Sequence, residues 1–214
     1  DVYKRQQWDR KAVFLTKDTD QSPKEAFEDR GGIYAEFGKV VAISAGFFTR
    51  SGNSWSLRVR GLKNDNEQEL LEEFNHLMAK FDQTKVILCA HNGKEFDFPY
   101  LCRRLLINSL PIPASIDSSG KKPWEVNHLD TMELWKFGDR KSYTSLDLLA
   151  ALFKIPSSKS EIDGSMVGQV FYEQGNLELI SKYCNQDVIV TAQLLLKLNQ
   201  LPIIDEHDIH IIED

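Results

Sequence analysis

Tyr183 and Asp187 stand four residues apart in an apolar helical pattern, Leu177 to Leu198, so a phenol and a carboxylate share one face about one turn apart. Leu179-Ile180 precedes this acid and Val188-Ile-Val190 follows it, and a carboxylate among apolar neighbours is costly unless it is paired or metal-bound. Upstream, Asn92-Gly-Lys-Glu-Phe96-Asp97 follows the buried-strand pattern Val86-Ile-Leu-Cys-Ala90, and Asn92-Gly93 supplies the turn into a helix. Phe96 and Asp97 therefore fall in the first helical turn at the C-terminal edge of a strand, where α/β folds place their chemistry. Acids converging there suit hard cations such as Mg²⁺ or Mn²⁺, and a pair of them about 3.5–4 Å apart is the arrangement that hydrolyses phosphodiesters. Plainer readings stand beside this one. Tyr183 can pack under the sheet with Asp187 solvated, Asp97 can serve the helix macrodipole, and Phe96 can belong to the core.

The elements that must carry these residues follow from periodicity. Trp8, Ala12 and Leu15 have helical spacing, while Asp1 to Gln6 fits neither a strand nor a clean helix. Ser22-Pro23-Lys24-Glu25 is a capping box opening a short helix that Gly31-Gly32 ends. The apolar run from Gly38 to Phe48 and the alternating segment Trp55 to Val59 make a hairpin across Ser51-Gly52-Asn53. Asn66 to Phe81 reads as an amphipathic helix, 85–90 as a short buried strand, and the Asn92 motif leads into a helix through Leu106. A short strand at Val126 to Leu129, a helix at Thr144 to Phe153 and the long helix Leu177 to Leu198 complete the order.

With 214 residues, 42% of them apolar, the chain can bury one substantial core, and a single α/β domain is expected. A formal net charge of -6 does not advertise nucleic-acid binding, although bound cations would reverse the sign of the field locally. Cys89, Cys102 and Cys184 form no C-x-x-C pair and read as reduced, buried thiols. The five histidines show no metal-ligand spacing, with His207 and His210 in a polar tail. No P-loop, zinc motif or nucleophilic Ser or Cys arrangement is present, so a metal reading rests on carboxylates alone. No apolar stretch is long enough to span a bilayer and the N-terminal segment is charged, which leaves a cytoplasmic location as the default expectation.

In this order, Asn92-Gly-Lys-Glu-Phe-Asp97 and Tyr183-Cys-Asn-Gln-Asp187 resemble the second and third motifs of the DEDDy 3′-to-5′ exonucleases, N-x(2-3)-[FY]-D and Y-x(3)-D. Gly32-Ile-Tyr-Ala-Glu-Phe-Gly-Lys39, Lys121-Lys-Pro-Trp124 and His128-Leu-Asp-Thr-Met-Glu-Leu-Trp135 extend the resemblance over nearly the whole chain after Trp8. It is similar to the predicted 3′-to-5′ exonucleases related to the proofreading domain of B-family DNA polymerases. The resemblance implies a ribonuclease H-like α/β fold, a mixed sheet flanked by helices, acting on a single-stranded 3′ end of nucleic acid with two divalent ions, Mg²⁺ or Mn²⁺. It also implies roles. Asp187 would bind the metal carrying the attacking water, Tyr183 would orient that water, and Asp97 would hold the second metal's water shell. Asn92 would contact the terminal nucleotide and Phe96 would brace its base. Asp130, ending a strand, is either a neighbour of the site or a cap to the next helix.

The same family carries an earlier D-x-E motif on its central strand, and no unambiguous copy stands before Asn92. Asp18-Thr19-Asp20 does not fit, because the apolar spacing ahead of it is helical. The expectation is that the motif belongs upstream of Asp1 and that the first, central strand is missing from this chain. The corresponding division is 1–37 as a remnant and helical lead-in, 38–200 as the exonuclease domain and 201–214 as a tail. With Asp97 and Asp187 as the only firm ligands, negligible activity is expected, and the gap should leave two strands without their shared partner, favouring low stability or self-association. The alternatives are a non-catalytic nucleic-acid-binding or scaffold domain of this fold and, more remotely, a small-molecule phosphohydrolase.

Overall fold

The structure, a computed structural model, describes residues 2–52, 54–81, 86–139, 141–156 and 161–212. It is a mixed α/β fold whose described strands fall into two sheets. β1 (Ala42–Ser51) and β2 (Ser54–Lys63) form the expected hairpin, antiparallel from Ala42↔Lys63 to Ser51↔Ser54. β3 (Cys89–Ala90) and β4 (Leu129–Asp130) pair in parallel as a separate sheet of two strands. Residues 209–212, read from sequence as part of a tail, instead form β5 (Ile209–Ile212), which lies parallel to β2 in register Leu57↔Ile209 to Arg60↔Ile212. β2 is thus the middle strand of the first sheet. The expected buried strand before Asn92 is shorter than its apolar pattern. Val86 and Ile87 are exposed, at 36% and 60%, and Lys85 lies outside the described residues.

Alternation along β2 sends its side chains into two layers. Leu57 and Val59 pack with Ile189, Val188, Ala192 and Leu196 of α8 (Leu177–Leu198). Leu62 points the other way, into a core with Leu70, Leu71, Phe74 and Met78 of α3 (Glu67–Ala79) and Phe98 and Leu105 of α4 (Asp97–Ile107). Gly61 is required where α8 crosses the sheet, because a Cβ there would stand 2.6 Å from Ser181 Oγ and 2.8 Å from Asn185 Oδ1. Asn185 is itself buried and its Oδ1 accepts from Ser44 Oγ at 2.7 Å, so the helix is keyed to β1 by a polar contact as well as by packing.

The N-terminal lead-in forms its own small core. α1 (Val2–Leu15) begins six residues earlier than the apolar spacing suggests, because Tyr3 to Gln7 contains no helix breaker and the lysine, arginine and glutamines are good helix formers. Trp8 and Ala12 pack on Ala26 of α2 (Pro23–Arg30), and Trp8 Nε1 donates to Pro23 O at 2.7 Å. The capping box at Ser22 and Glu25 is formed as expected. Asp18 and Asp20 sit in an exposed turn after α1, in no strand. α5 (Thr131–Lys136), α6 (Leu146–Phe153) and α7 (Val167–Gln169), the last followed by a π-helical turn at Val170–Gln174, connect the second sheet to α8. The three cysteines are free, as expected, although only partly buried. Among the described residues no helix is long and apolar enough to cross a membrane.

One buried ion pair fastens the α3 and α4 layer to the chain before β1. Arg104, only 6% exposed, forms a two-pronged contact with Glu67 and donates through Nη1 to Ala35 O at 2.7 Å. It is a structural residue, its guanidinium taken up by Glu67 and the Ala35 carbonyl. Burial pushes the Glu67 carboxyl up, but hydrogen bonds from Arg104, Val40 N–H and Asn108 outweigh it and hold the group below the usual glutamate range. Removing one partner strands the other charge, so Arg104→Ala should cost about 3–5 kcal/mol in urea unfolding. A carboxyl with a lowered folded pKa stabilises fully above its unfolded pKa. The deficit of the variant should therefore be complete at neutral pH and fade as pH falls through Glu67's lowered value.

Candidate active site

Four segments meet at the end of the two-stranded sheet. β3 runs into the turn at Asn92, which adopts the left-handed region at φ 61, and α4 then begins with Asp97. Gly93 is needed in this turn because a Cβ would come within 2.3 Å of Ala90 Cβ. Phe96, the residue before α4, is 42% exposed with its ring 5.5 Å from that of Tyr100, so the core reading of Phe96 is not what the fold adopts. α8 presents Tyr183 and Asp187 one turn apart, both half-buried, with the phenol close enough to the Asp187 carboxyl to favour its anion. The Cys184 thiol lies within the fields of both Asp187 and Asp97, and burial first, then these two acids, push it up to about 12. Asp97, Tyr183 and Asp187, far apart in sequence, are therefore gathered in one place.

Electrostatics define the site. Burial pushes Asp187 up to about 6, with the charges of Asp147 and Asp97 adding to the rise and the Tyr183 hydrogen bond opposing it. Asp97 keeps an exposed face yet is crowded by protein atoms on the rest, and this desolvation, aided by the charge of Asp130, also pushes it up to about 6. Burial and the neighbouring Asp187 and Asp147 raise the Tyr183 phenol well above its ordinary value, so it is a neutral donor. Asp147, an exposed acid in the first turn of α6, is the member that sequence reasoning missed. Its only signal is a carboxylate two residues past the capping Ser145, which sequence alone credits to the macrodipole.

Asp130 proves to be a cap. It is 3% exposed and accepts from Met132 N–H at 3.0 Å at the start of α5, but it also accepts from Asn92 N–H at 2.9 Å and Lys94 N–H at 3.2 Å. Lys94 is committed to Glu133, Nζ to Oε2 at 2.7 Å. The literal Asp65-Asn66-Glu67 triplet ahead of Asn92 lies at the start of α3, where Asn66 caps the helix and Glu67 pairs with Arg104. It contributes nothing to this site.

The family model for predicted 3′-5′ exonucleases related to the exonuclease domain of PolB matches residues 33–205. The chain belongs to this family. The matched span includes both sheets except β5, both halves of the gathered site and Asp147.

The donor set fits the chemistry expected of a family of predicted exonucleases. Carboxylate and phenol oxygens are hard donors suited to Mg²⁺ or Mn²⁺, and among the described residues the charges that act on Asp97 and Asp187 are those of other acids. Among the described residues no three carboxylates of this site bring oxygens within 4.8 Å of one another, so a cation held by these acids alone would keep part of its water shell. The cluster that does meet that spacing, Asp205, His207 and Asp208, is at the surface remote in sequence from these motifs, a grouping the histidine spacing did not suggest.

A raised folded pKa means that ionising Asp187 costs stability, a cost absent well below the ordinary value of 3.8, growing from there to about pH 6 and complete above. Asp187→Asn, which keeps an acceptor for Tyr183, should therefore raise the thermal midpoint at pH 8 in metal-free buffer, with the gain shrinking as pH falls below about 6 and gone by about pH 3.

Proposed function

We propose that this chain has a ribonuclease H-like architecture and is a 3′-to-5′ exonuclease domain of the DEDDy type, removing nucleotides from a single-stranded 3′ end by two-metal phosphodiester hydrolysis. The observation that carries the reading is the meeting of Asp97 with Tyr183 and Asp187 at the strand ends in a member of this family. Divalent cations held by Asp97 and Asp187 would supply Lewis-acid stabilisation of charge on the transferring phosphate. The protein's own part is orientation. Tyr183, kept neutral, is placed to donate to Asp187 or to the attacking water between them. Asn92 sits at the turn where the terminal nucleotide would end, and the exposed face of Phe96 offers a stacking surface for its base.

A second reading has a specific observation behind it. The D-x-E ligands expected from the family have no counterpart beside Asp97 and Asp187 among the described residues, the literal triplet being spent on helix capping and the Arg104 pair. Such a chain would bind nucleic acid without turning it over, as a scaffold of the same fold.

Two measurements decide. Mn²⁺ should raise the melting temperature of the parent but not of Asp187→Ala, since a ligand stabilises only the state that binds it. A 5′-labelled single-stranded oligonucleotide incubated with Mn²⁺ or Mg²⁺ should shorten from its 3′ end only in the parent. Mn²⁺ stabilisation without shortening would favour the scaffold reading for this chain, and the absence of both effects would sink the cation site itself.

A further inference from the structure

Asp97 and Asp147 reach Asp187 from segments that share no helix or strand with it, so something must fix their relative placement. Two buried or half-buried polar groups outside the proposed chemistry bridge these segments. The first is Asp130, whose Oδ1 accepts from Asn92 N–H at 2.9 Å and Met132 N–H at 3.0 Å while Oδ2 accepts from Lys94 N–H at 3.2 Å. Three backbone donors on one buried carboxylate make strong, charge-assisted bonds. They hold a non-glycine residue, Asn92, in the left-handed region, a conformation that persists only where its surroundings impose it. The turn closes with Phe96 N–H donating to Asn92 O at 3.0 Å, one residue before Asp97.

The second is His91, next to that turn. Its Nε2 lies 2.9 Å from Thr144 O and its Nδ1 2.8 Å from Thr131 Oγ1. A carbonyl oxygen only accepts, so the proton belongs on Nε2, and burial, the largest influence on the ring, favours the neutral form in which Nδ1 accepts from Thr131. Thr144 directly precedes Ser145, the N-cap of α6, and Asp147 follows within the first turn. The adjacent pair Asp130-Thr131 thus grips the Asp97 turn with one side chain and, through His91, the start of the Asp147 helix with the other.

We propose that Asp130 and His91 are positioning residues that jointly set Asp97 and Asp147 against Asp187, a role resting on the cation-site reading. Neither touches a reacting atom. Asp130→Asn keeps the side chain's shape but turns one acceptor oxygen into a donor that faces a backbone N–H. His91→Ala removes the link to Thr144 and leaves the Asp130 contacts in place.

The test is amide hydrogen exchange by mass spectrometry on the full chain, together with calorimetric Mn²⁺ titration. Trp8→Ala, a change in the separate N-terminal core shared by α1 and α2, serves as the control for general destabilisation. Asp130→Asn should speed exchange over 92–98 by about tenfold or more relative to the control, and His91→Ala should do the same over 144–150. Both should weaken Mn²⁺ binding by about tenfold, which a lost charged hydrogen bond can supply, while the control leaves it within about twofold of the parent. Faster exchange with unchanged Mn²⁺ affinity would reduce both residues to simple caps and overturn the proposal, as would exchange within about twofold of the control at both segments. If the parent binds no Mn²⁺, the cation reading fails on its own, and exchange alone decides whether the brace exists. Should Asp130→Asn not fold, the same two readouts on His91→Ala decide between these outcomes.

Discussion

The packing of α8 across the sheets is the constraint on which the rest depends. This helix of 22 residues lies against β1 and β2 and also contacts β3, so it spans two sheets that, among the described residues, share no strand pairing. Its approach is set by the absence of a side chain at Gly61 and by Asn185 bonded to Ser44. Once Ser181, Asn185 and Ile189 face the first sheet, helical geometry fixes where Tyr183 and Asp187 must point. The site is in that sense a by-product of how α8 seats on the hairpin.

Burial acts in the same direction on three carboxyls, and their partners decide the outcome. Glu67 is raised by burial yet ends below its ordinary value, because Arg104, Asn108 and a backbone N–H all favour its anion. Asp97 and Asp187 are raised by burial and have acids for neighbours, so both end near 6. One region holds a satisfied charge and stabilises the fold, while the other holds charge that the fold opposes. Such opposition is tolerated where ligand binding repays it, and it separates a structural ion pair from a candidate site more clearly than the acids themselves do.

The sheets explain why the local patterns near the site were only partly realised. A strand needs a partner for its backbone groups, and β3 finds one in β4 for Cys89 and Ala90 alone. Val86 and Ile87 ahead of them are left exposed although their pattern is that of a buried strand. β1 likewise pairs with β2 on one edge and has no strand on the other among the described residues. Edge strands usually hide or charge such surfaces, and here Ala42 to Phe48 carries no charge.

The sequence by itself determined whatever is local. The capping box at Ser22, the hairpin, the long helix from Leu177 to Leu198 and the pairing of Tyr183 with Asp187 on one helical face all follow from short-range periodicity, steric preference and turn chemistry. The second motif's place at a strand end was legible for the same reason. What only the tertiary structure decided are relations between distant residues: Arg104 buried on Glu67, Ile209–Ile212 added to β2, Asp130 gripping the Asn92 turn and Asp147 brought to Asp187. None of these has a periodic signature, because a surface acid and a buried one are spelled alike. The energy that distinguishes them comes from desolvation and from partners that exist only once the chain has packed.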